Sequence, residues 1–319
     1  MSNKTYARAV FDGCVEAMKA DPNVLMYGED IHMAMFQVTN GLVELFGEDR
    51  VRDTPISEAA LVGVGVGAAV LGVRPVVEIQ FADILGISMD HLVQSAAKIR
   101  YLSAGKMNCP LVVRAPMGIG LGMGMHHSQC VESWFMNTPG LKIVAPSNPH
   151  DAKGLLISAI EDNDPVIFLE HKKLYGTKGE VPEGYYKEPI GKGKIVREGT
   201  DVTIVAYSYM VQAAEKAAKE LEKEGISTEV IDLRTVKPLD VPLIIESVQK
   251  TSRAVIVYES PKFGGYGAEV AATIAEKAID YLAAPVLRVA GKETPVPFGM
   301  EEAVAPNHKH IVEAVKRLF

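Results

Sequence analysis

Short apolar runs alternate with helical patterns along the chain, and this alternation is what most constrains the fold. The strand-like runs cover residues 24–27, 74–81 and 110–115, and the helical segments between them cover 6–20, 63–71 and 85–102. Runs that are mostly apolar, without a strict alternation, belong to strands buried on both faces, which is typical of parallel sheets covered by helices. The pattern therefore predicts an α/β fold.

The chain divides into two such units. The stretch 172–194 is rich in Gly, Pro, Glu and Tyr and has no sustained period, which predicts a linker. Beyond it, the same alternation continues with strand-like runs at 201–207, 227–233, 254–259 and 284–289 and an amphipathic helix at 210–224. The predicted organisation is a larger domain at 1–180, a linker at 181–198 and a smaller α/β domain at 199–319. A chain of 319 residues, 48% of them hydrophobic, is long enough for two cores.

Glu58 stands where an extended segment meets an apolar helix of small residues. Asp53 to Ser57 precede it, and Ala59 and the glycine-rich run 63–67 follow. At the first turn of a helix, free backbone N–H groups and the helix dipole stabilise a carboxylate. Two interpretations stay open from this local pattern. Glu58 is either a functional carboxylate or only a complement to the dipole of a helix capped by Ser57 or Asp53.

The run 63–68 matches the dinucleotide-binding spacing G-x-G-x-x-A. That fingerprint requires an apolar strand directly before the glycines, and here the sequence Ser57-Glu58-Ala59-Ala60 precedes them. The glycines therefore favour close packing of a helix against a neighbour over nicotinamide binding.

A second chemical candidate is the loop 118–129, which carries glycine at every second position from 118 to 124 and then His126 and His127. Such glycines permit close approach to a ligand or a mobile gate. Adjacent histidines in an extended segment point in opposite directions, so these two do not readily share a metal ion. The residues alone allow either a surface loop with a structurally satisfied His127 or a site that uses it.

Composition excludes several classes of function. The net charge of −7 and the sequence pI of about 5.7 give no broad attraction to nucleic acid or anionic lipid. No apolar run approaches the roughly 18 residues that a membrane span needs, and the start lacks a signal-peptide pattern, so we expect a cytoplasmic protein. Three separated cysteines, Cys14, Cys109 and Cys130, predict buried free thiols rather than disulfides or a metal cluster.

Several motifs follow one another in the order of a known family. They are Gly28-Glu29-Asp30, the segments 53–58 and 74–81, His127-Ser128-Gln129, and the segments 139–144, 151–154 and 232–235. With these motifs in this order, the chain resembles the β subunits of thiamine diphosphate-dependent 2-oxo acid dehydrogenase E1 components. The segments 168–172, 179–183 and 294–298 look most like the acetoin dehydrogenase E1 β subunit. Pyruvate and branched-chain 2-oxo acid enzymes stay open.

The resemblance implies a fold and an activity. The fold is a transketolase-like pyrimidine-binding domain followed by a smaller domain of the transketolase C-terminal type. The activity is that of an oxidoreductase subunit, which cleaves a 2-oxo acid or acetoin and transfers the acyl group to the lipoyl group of the E2 acyltransferase. Glu58 is implied to hydrogen-bond N1′ of the cofactor's aminopyrimidine, and His127 to donate protons during acyl transfer.

The resemblance also suggests further contacts with the cofactor and a metal ion. Ile56 is implied to contribute its backbone to the cofactor pocket. Ile84 stands where many relatives carry an aromatic ring against the aminopyrimidine, so it offers an apolar wall without stacking. A potassium ion is suggested at a set of oxygen atoms, although a plain helix-to-strand turn fits the same sequence. The residues of that set are Leu111, Ala159, Ile160, Asp162 and Asp164.

One part of the cofactor site is missing from the sequence. In this superfamily a Gly-Asp-Gly segment followed by Asn holds the diphosphate and its Mg²⁺, and no Gly-Asp-Gly occurs in this chain. The resemblance therefore implies that an E1 α subunit supplies this half, in an α2β2 heterotetramer. Two alternatives stay open: a noncatalytic assembly subunit, and the C-terminal half of a split transketolase. The Gly-Ile-Ala-Glu-Gln pattern typical of transketolases is absent around Glu58.

Overall fold

Two sheets organise the computed structural model, which describes residues 1–319. The strands are β1 (Ser2–Thr5), β2 (Val24–Gly28), β3 (Val51–Asp53), β4 (Arg74–Glu78), β5 (Val112–Met117), β6 (Lys142–Val144), β7 (Val166–His171), β8 (Lys178–Val181), β9 (Lys194–Arg197), β10 (Val202–Ala206), β11 (Thr228–Asp232), β12 (Thr235–Lys237), β13 (Ala254–Pro261) and β14 (Leu287–Gly291). The α-helices are α1 (Tyr6–Ala20), α2 (Leu42–Phe46), α3 (Glu58–Val70), α4 (Ile99–Leu102), α5 (Ser133–Met136), α6 (Pro149–Glu161), α7 (Tyr209–Glu222), α8 (Val241–Thr251), α9 (Gly267–Ala278) and α10 (His308–Lys316).

The first sheet has seven strands in the order β12-β6-β7-β5-β4-β2-β3. All neighbours from β6 to β3 pair in parallel, and only β12 is antiparallel. Every residue of the central strands β5 and β7 is buried, as expected for strands covered by helices on both faces. The second sheet has the order β14-β13-β10-β11-β9, with only β9 antiparallel. The predicted α/β class with two parallel-sheet domains is confirmed.

Among the strands that the sequence analysis did not predict, two lie in unexpected places. Strand β9 falls inside the segment 181–198 that was predicted as a linker, and it pairs with β11 at the edge of the second sheet. Strand β12 comes from the C-terminal part of the chain but pairs with β6 of the first sheet. The side chain of Lys237, at the end of β12, donates to the carbonyls of Met136 at 2.7 Å and Thr138 at 2.6 Å. The predicted domain boundaries themselves stay a prediction.

The glycines of the 63–68 run lie inside helix α3. A Cβ atom added to Gly65 would lie 2.8 Å from the Tyr27 hydroxyl and 2.9 Å from a methyl group of Leu111. One added to Gly63 would lie 3.0 Å from the ring of His91. Small residues therefore let α3 pack closely against its neighbours, as the sequence analysis favoured over a dinucleotide fingerprint.

The segment predicted as one helix over 85–102 is broken into pieces. A 3₁₀ segment covers Ala82–Ser88, a π-helical turn covers Asp90–Ala96, and only Ile99–Leu102 is α-helical. Tertiary packing explains the difference, because His91 of the π-helical turn packs against the Gly63 backbone of α3. Such turns are frequent at functional sites.

A charged residue is buried at the centre of the first sheet. Arg114 of β5 is 2% exposed and donates through Nε and Nη2 to the Glu170 carboxylate of β7, at 2.7 and 2.9 Å. Its Nη1 donates to Glu78 of β4 at 2.6 Å. The bidentate pair and its third partner compensate for the loss of hydration. Burial raises the pKa of Glu170. Burial would lower the pKa of Arg114, but the Glu170 and Glu78 carboxylates outweigh it and raise that pKa overall.

The three cysteines have the state that the sequence predicts. Cys14, Cys109 and Cys130 are all free and buried, and burial raises the pKa of Cys14 and Cys109 to about 12, as expected for unreactive thiols.

None of the helices combines the length and the apolar character that crossing a membrane requires.

Candidate active site

The candidate residues lie at one edge of the first sheet. Glu29 follows β2, Glu58 begins the helix after β3, and Phe81 follows β4. The loop 118–129 follows β5, and Lys172 follows β7. These strands are parallel, so their carboxyl ends and the segments that follow them share one edge, where open α/β sheets bind ligands.

Glu58 is the first residue of α3 and is buried. Two hydroxyl groups fix the start of this helix, because Ser88 donates to the backbone carbonyl of Glu58 at 2.8 Å and Tyr27 donates to that of Leu61 at 3.0 Å. The carboxylate of Glu58 takes part in none of the hydrogen bonds or ion pairs within the chain, although its backbone does. The backbone of Glu58 is therefore held in place, and its carboxylate is available to a group from outside this chain.

Glu29 is a site residue that the sequence analysis did not single out. Its side chain is buried, and one carboxylate oxygen has no hydrogen-bond partner. Burial first, and then the neighbouring charge of Glu58, raise the pKa of Glu29 to about 7, while the backbone N–H of Ser57 acts in the opposite direction. Gln80 donates to the Glu29 carbonyl at 2.6 Å. The position of Glu29 directly after a buried strand was the sequence signal for it.

The two histidines lie in different environments, but not for the reason expected from sequence. The segment around them is a turn, in which the backbone N–H of His127 donates to Gly124 at 3.2 Å, so the expectation of an extended segment is wrong. His126 is exposed. The ring of His127 is half-buried and meets the Phe81 ring edge-on, with centroids 4.4 Å apart.

Two further residues fasten the histidine turn to the sheet edge. The ammonium group of Lys172 donates to the backbone carbonyl of His127 and lies 5.6 Å from the centroid of the Phe81 ring. Burial lowers the pKa of Lys172, against the raising effect of nearby acidic groups. Asp83 accepts from the backbone and the side-chain amide of Gln129, at 3.0 and 2.9 Å. Sequence reasoning used Lys172 only as part of the segment 168–172 and did not single out Asp83.

The second unit also reaches the glycine loop. Glu259 of β13 accepts from the ring Nε2 of His171 at 2.9 Å and from the backbone of Ile119 at 2.8 Å. Because Nδ1 of His171 accepts from the backbone of Lys173, at 3.2 Å, Nε2 carries the proton that is shared with Glu259. Burial raises the pKa of Glu259, but His171 and the hydrogen bonds outweigh it and lower the pKa overall. Glu301 contacts the same loop further along.

The two isoleucines predicted near the cofactor differ in exposure. Ile84 is half-buried, packs against the largest apolar core, and donates through its backbone to Phe81 at 3.1 Å. The side chain of Ile56 is 76% exposed. Ile84 thus contributes an apolar wall close to Phe81, whereas Ile56 presents its side chain at the surface of this chain.

The residues suggested for a potassium ion gather where α6 ends and β7 begins, beside the start of β5. They are Leu111, Ala159, Ile160, Asp162 and Asp164. The guanidinium group of Arg74 donates to the carbonyls of Ile160 at 3.1 Å and Asp162 at 3.0 Å. The carboxylate of Asp164 pairs with Arg100 and with Lys142. Protein cations therefore already contact part of the oxygen set.

Comparison with known sequences agrees with the two-domain fold. The family described as "Transketolase, pyrimidine binding domain" matches residues 2–178, and "Transketolase, C-terminal domain" matches residues 191–311.

Full-length relatives carry related names. A "Pyruvate dehydrogenase E1 component subunit beta" from Bacillus subtilis (strain 168) is 47% identical over 323 residues, covering 100% of this chain and 99% of the relative. A "2-oxoisovalerate dehydrogenase subunit beta" from the same strain is 47% identical over 324 residues, with the same coverage. A plant relative from Arabidopsis thaliana, named mitochondrial, is 47% identical over 310 residues, covering 95% of this chain and 85% of its own.

A solved structure is similar over nearly the whole chain. It is titled "Split gene transketolase, inactive beta4 tetramer", with a TM-score of 0.79 and 25% sequence identity, and it covers 98% of this chain and 97% of its own.

Proposed function

The chain belongs to the family of E1 β subunits of thiamine diphosphate-dependent 2-oxo acid dehydrogenases, and from this membership we propose the roles of its site residues, its partners and its substrate class. In this proposal Glu58 binds the aminopyrimidine of thiamine diphosphate, and His127 serves acyl transfer to a lipoyl group. The substrate is a small 2-oxo acid, pyruvate or a branched-chain acid, as the names of the relatives suggest. Acetoin, which the sequence analysis favoured, stays a prediction.

The observation that carries the proposal is Glu58 at the start of α3, a buried residue whose carboxylate is accessible and finds no partner within the chain. Its oxygen atoms are not enclosed by the chain, so a group from outside the chain can reach them. The ring nitrogen N1′ of an aminopyrimidine suits this place, because a protonated Glu58 can donate to the neutral ring nitrogen and an ionised Glu58 can accept from the protonated one. The residues present therefore fit the pyrimidine half of the cofactor, with Ile84 and Phe81 as apolar neighbours.

When bound, thiamine diphosphate supplies the carbon nucleophile that attacks the ketone carbon of the substrate. Glu58 holds or receives the proton at N1′ of the aminopyrimidine. Burial and the neighbouring charge of Glu58 raise the pKa of Glu29 to about 7, so Glu29 is partly protonated near neutral pH. His127 then delivers a proton where negative charge develops on the lipoyl thiolate or the acyl oxygen. The apolar ring of Phe81 limits the freedom of the imidazole and helps to exclude water from it.

We assign the diphosphate and Mg²⁺ half of the site to an E1 α subunit, in an α2β2 heterotetramer, because this chain lacks a Gly-Asp-Gly segment. The similar transketolase chain is described in its title as an inactive β4 tetramer, which supports dependence on a second kind of chain. The potassium ion does not enter the proposal, since Arg74 already donates to two oxygen atoms of the set. A cytoplasmic location stays a prediction.

A substrate screen tests the proposed function. The chain is coexpressed with its α-type partner and supplied with thiamine diphosphate, Mg²⁺ and a lipoylated acceptor domain. We expect acylation of the acceptor with pyruvate or with a branched-chain 2-oxo acid, and little with sugar phosphates. Acylation with acetoin but with none of the 2-oxo acids would instead indicate an acetoin dehydrogenase E1 β subunit. Turnover of sugar phosphates would favour the split-transketolase alternative, and no turnover of any substrate would favour a noncatalytic assembly subunit.

The two histidines are expected to respond unequally to mutation. His127→Ala should lower acyl transfer to lipoyl groups by about two orders of magnitude, the usual scale for losing a positioned proton donor. His126→Ala is the matched control, and because this neighbouring ring is exposed it should change the rate only a few-fold. Single-turnover kinetics with the lipoylated acceptor measure both. Equal losses in the two variants, or none in His127→Ala, would contradict the assignment.

A further inference from the structure

One side chain from the C-terminal unit binds the glycine loop that leads to His127. Glu301 lies in the 3₁₀ turn Glu301–Ala303 and is buried. Its Oε2 accepts from the backbone N–H groups of Gly120 at 2.7 Å and Gly122 at 3.1 Å. Its Oε1 accepts from the backbone of Gly124 at 3.1 Å and from the Ser128 hydroxyl. Both oxygens of one carboxylate are thus occupied by four donors of one loop.

The backbone of this loop has the shape needed to surround an anion. Gly120, Gly122 and Gly124 all have positive φ, at 138°, 71° and 75°. Other residues adopt such conformations rarely, and they allow successive N–H groups to converge on one point. A Cβ at Gly124 would also lie 3.2 Å from the backbone of Phe298, close to Glu301 in sequence. The glycines of the loop therefore serve to receive a carboxylate of the protein itself.

The charge of Glu301 persists across the physiological range. Burial alone would raise its pKa, but the hydrogen bonds from Gly120, Ser128, Gly124 and Gly122 outweigh this effect and lower the pKa to about 2. The stabilisation is therefore fully present above the ordinary glutamate pKa of about 4.3 and is lost as the pH falls through about 2. The loop should keep its shape at any pH at which the enzyme works.

His127 depends on this loop for its position. On one side of it, Ser128 donates to Glu301, and on the other its backbone N–H donates to Gly124, which is also bound to Glu301. We propose that Glu301 is a positioning residue, which reaches across from the second unit to hold the 118–128 loop and thereby orients His127 for acyl transfer. This inference rests on the proposed role of His127.

Glu301→Gln in the reconstituted complex tests the inference. The amide offers only one acceptor oxygen and turns an NH₂ group towards two of the four donors, so the loop loses its shape. Acyl transfer to the lipoylated acceptor should fall about tenfold, the scale expected when a catalytic group is misplaced. Cleavage of the 2-oxo acid with ferricyanide as electron acceptor, which bypasses the lipoyl group, should change less than about twofold. Glu293→Gln is the matched control, because this glutamate is exposed and lies close in sequence.

A double variant separates positioning from a general loss of structure. If Glu301 acts through His127, then adding Glu301→Gln to His127→Ala should lower acyl transfer by less than about a further twofold. Equal tenfold losses in both backgrounds and in both assays would overturn the inference and leave Glu301 a structural tether. Should the Glu301 variant fail to fold, Ser128→Ala removes one of the four donors and keeps the carboxylate. It should give a smaller loss of acyl transfer only, and no loss would also overturn the inference.

A physical measurement completes the test without relying on activity. Hydrogen exchange of the amides in residues 118–125 should accelerate at least about tenfold in Glu301→Gln and remain unchanged in Glu293→Gln, because three of these amides donate to Glu301. Unchanged exchange would overturn the inference. The outcomes also separate the two proposals. No loss in His127→Ala contradicts the proposed function, whereas a loss in His127→Ala together with normal transfer in Glu301→Gln contradicts only the role of Glu301.

Discussion

Glu58→Gln should lower the turnover of the assembled enzyme by at least about a hundredfold, or roughly 3 kcal/mol in the barrier. The glutamine keeps the size and the hydrogen-bonding capacity of the side chain but removes the group that holds a proton at N1′. Because Ser88 binds the backbone of Glu58 and not its carboxylate, the start of α3 should stay in place. Steady-state rates with the preferred 2-oxo acid, measured with both the lipoyl acceptor and ferricyanide, report the loss.

Both acceptors should show the same loss, because Glu58 acts before the pathways to them diverge. Glu44→Gln is the matched control, since Glu44 also lies in the first turn of a helix but is exposed and far along the chain from the glycine loop. It should leave the rate unchanged. Assembly with the α-type partner, followed by size-exclusion chromatography, should survive in both variants. Full activity in Glu58→Gln would reduce Glu58 to a residue that only complements the helix dipole.

The second large effect is expected when the partner is withheld. The chain alone should show neither turnover nor tight binding of thiamine diphosphate, because most of the affinity for a diphosphate comes from the metal and its ligands. Calorimetry should detect weak binding or none until the α-type partner is added, and then Mg²⁺-dependent binding. Exposed apolar side chains flank Glu58, with Ile56 76% and Val64 63% exposed, as expected for a site completed by another chain.

The control for this experiment is the α-type partner by itself, which should also fail to turn over. Activity that appears only when the two chains are mixed would show that the active site needs residues of both. Tight Mg²⁺-dependent binding of the cofactor by the lone β chain would contradict the split site. It would also mean that a diphosphate cradle exists here without the expected motif.

Local patterns predicted part of the strands and helices, because apolar runs and 3.6-residue periods reflect burial directly. The elements predicted in this way are β2, β4, β5, β10, β11, β13 and β14, and α1, α3 and α7. Local patterns failed where a distant contact decides the conformation. The segment 85–102 departs from a regular helix where His91 packs against Gly63 of α3. Strands β9 and β12 are short edge strands whose pairing depends on residues far away in sequence. Nothing within three or four residues reveals which sheet they join.

The same limit applies to the candidate site. Glu58 and His127 stood out because each combines a special residue type with a special local backbone. Glu29, Lys172 and Glu301 did not, since their importance arises only when the ends of several strands meet. Glu301 lies 174 positions after His127 in the sequence. The glycine spacing in 118–124 indicated one side of that contact, but no local pattern in the sequence indicated that Glu301 is its partner.

The placement of β12 has a consequence for how such a gene can be divided or recombined. The C-terminal half contributes a strand to the first sheet, since residues 235–237 close an edge of that sheet through β6. A break in the chain anywhere between the two family matches, at 178–191, would leave the hydrogen-bonding groups of β6 exposed in the N-terminal fragment, and exposed strand edges promote aggregation. The two domains are therefore poor units for shuffling, and evolution would be expected to pass them on together.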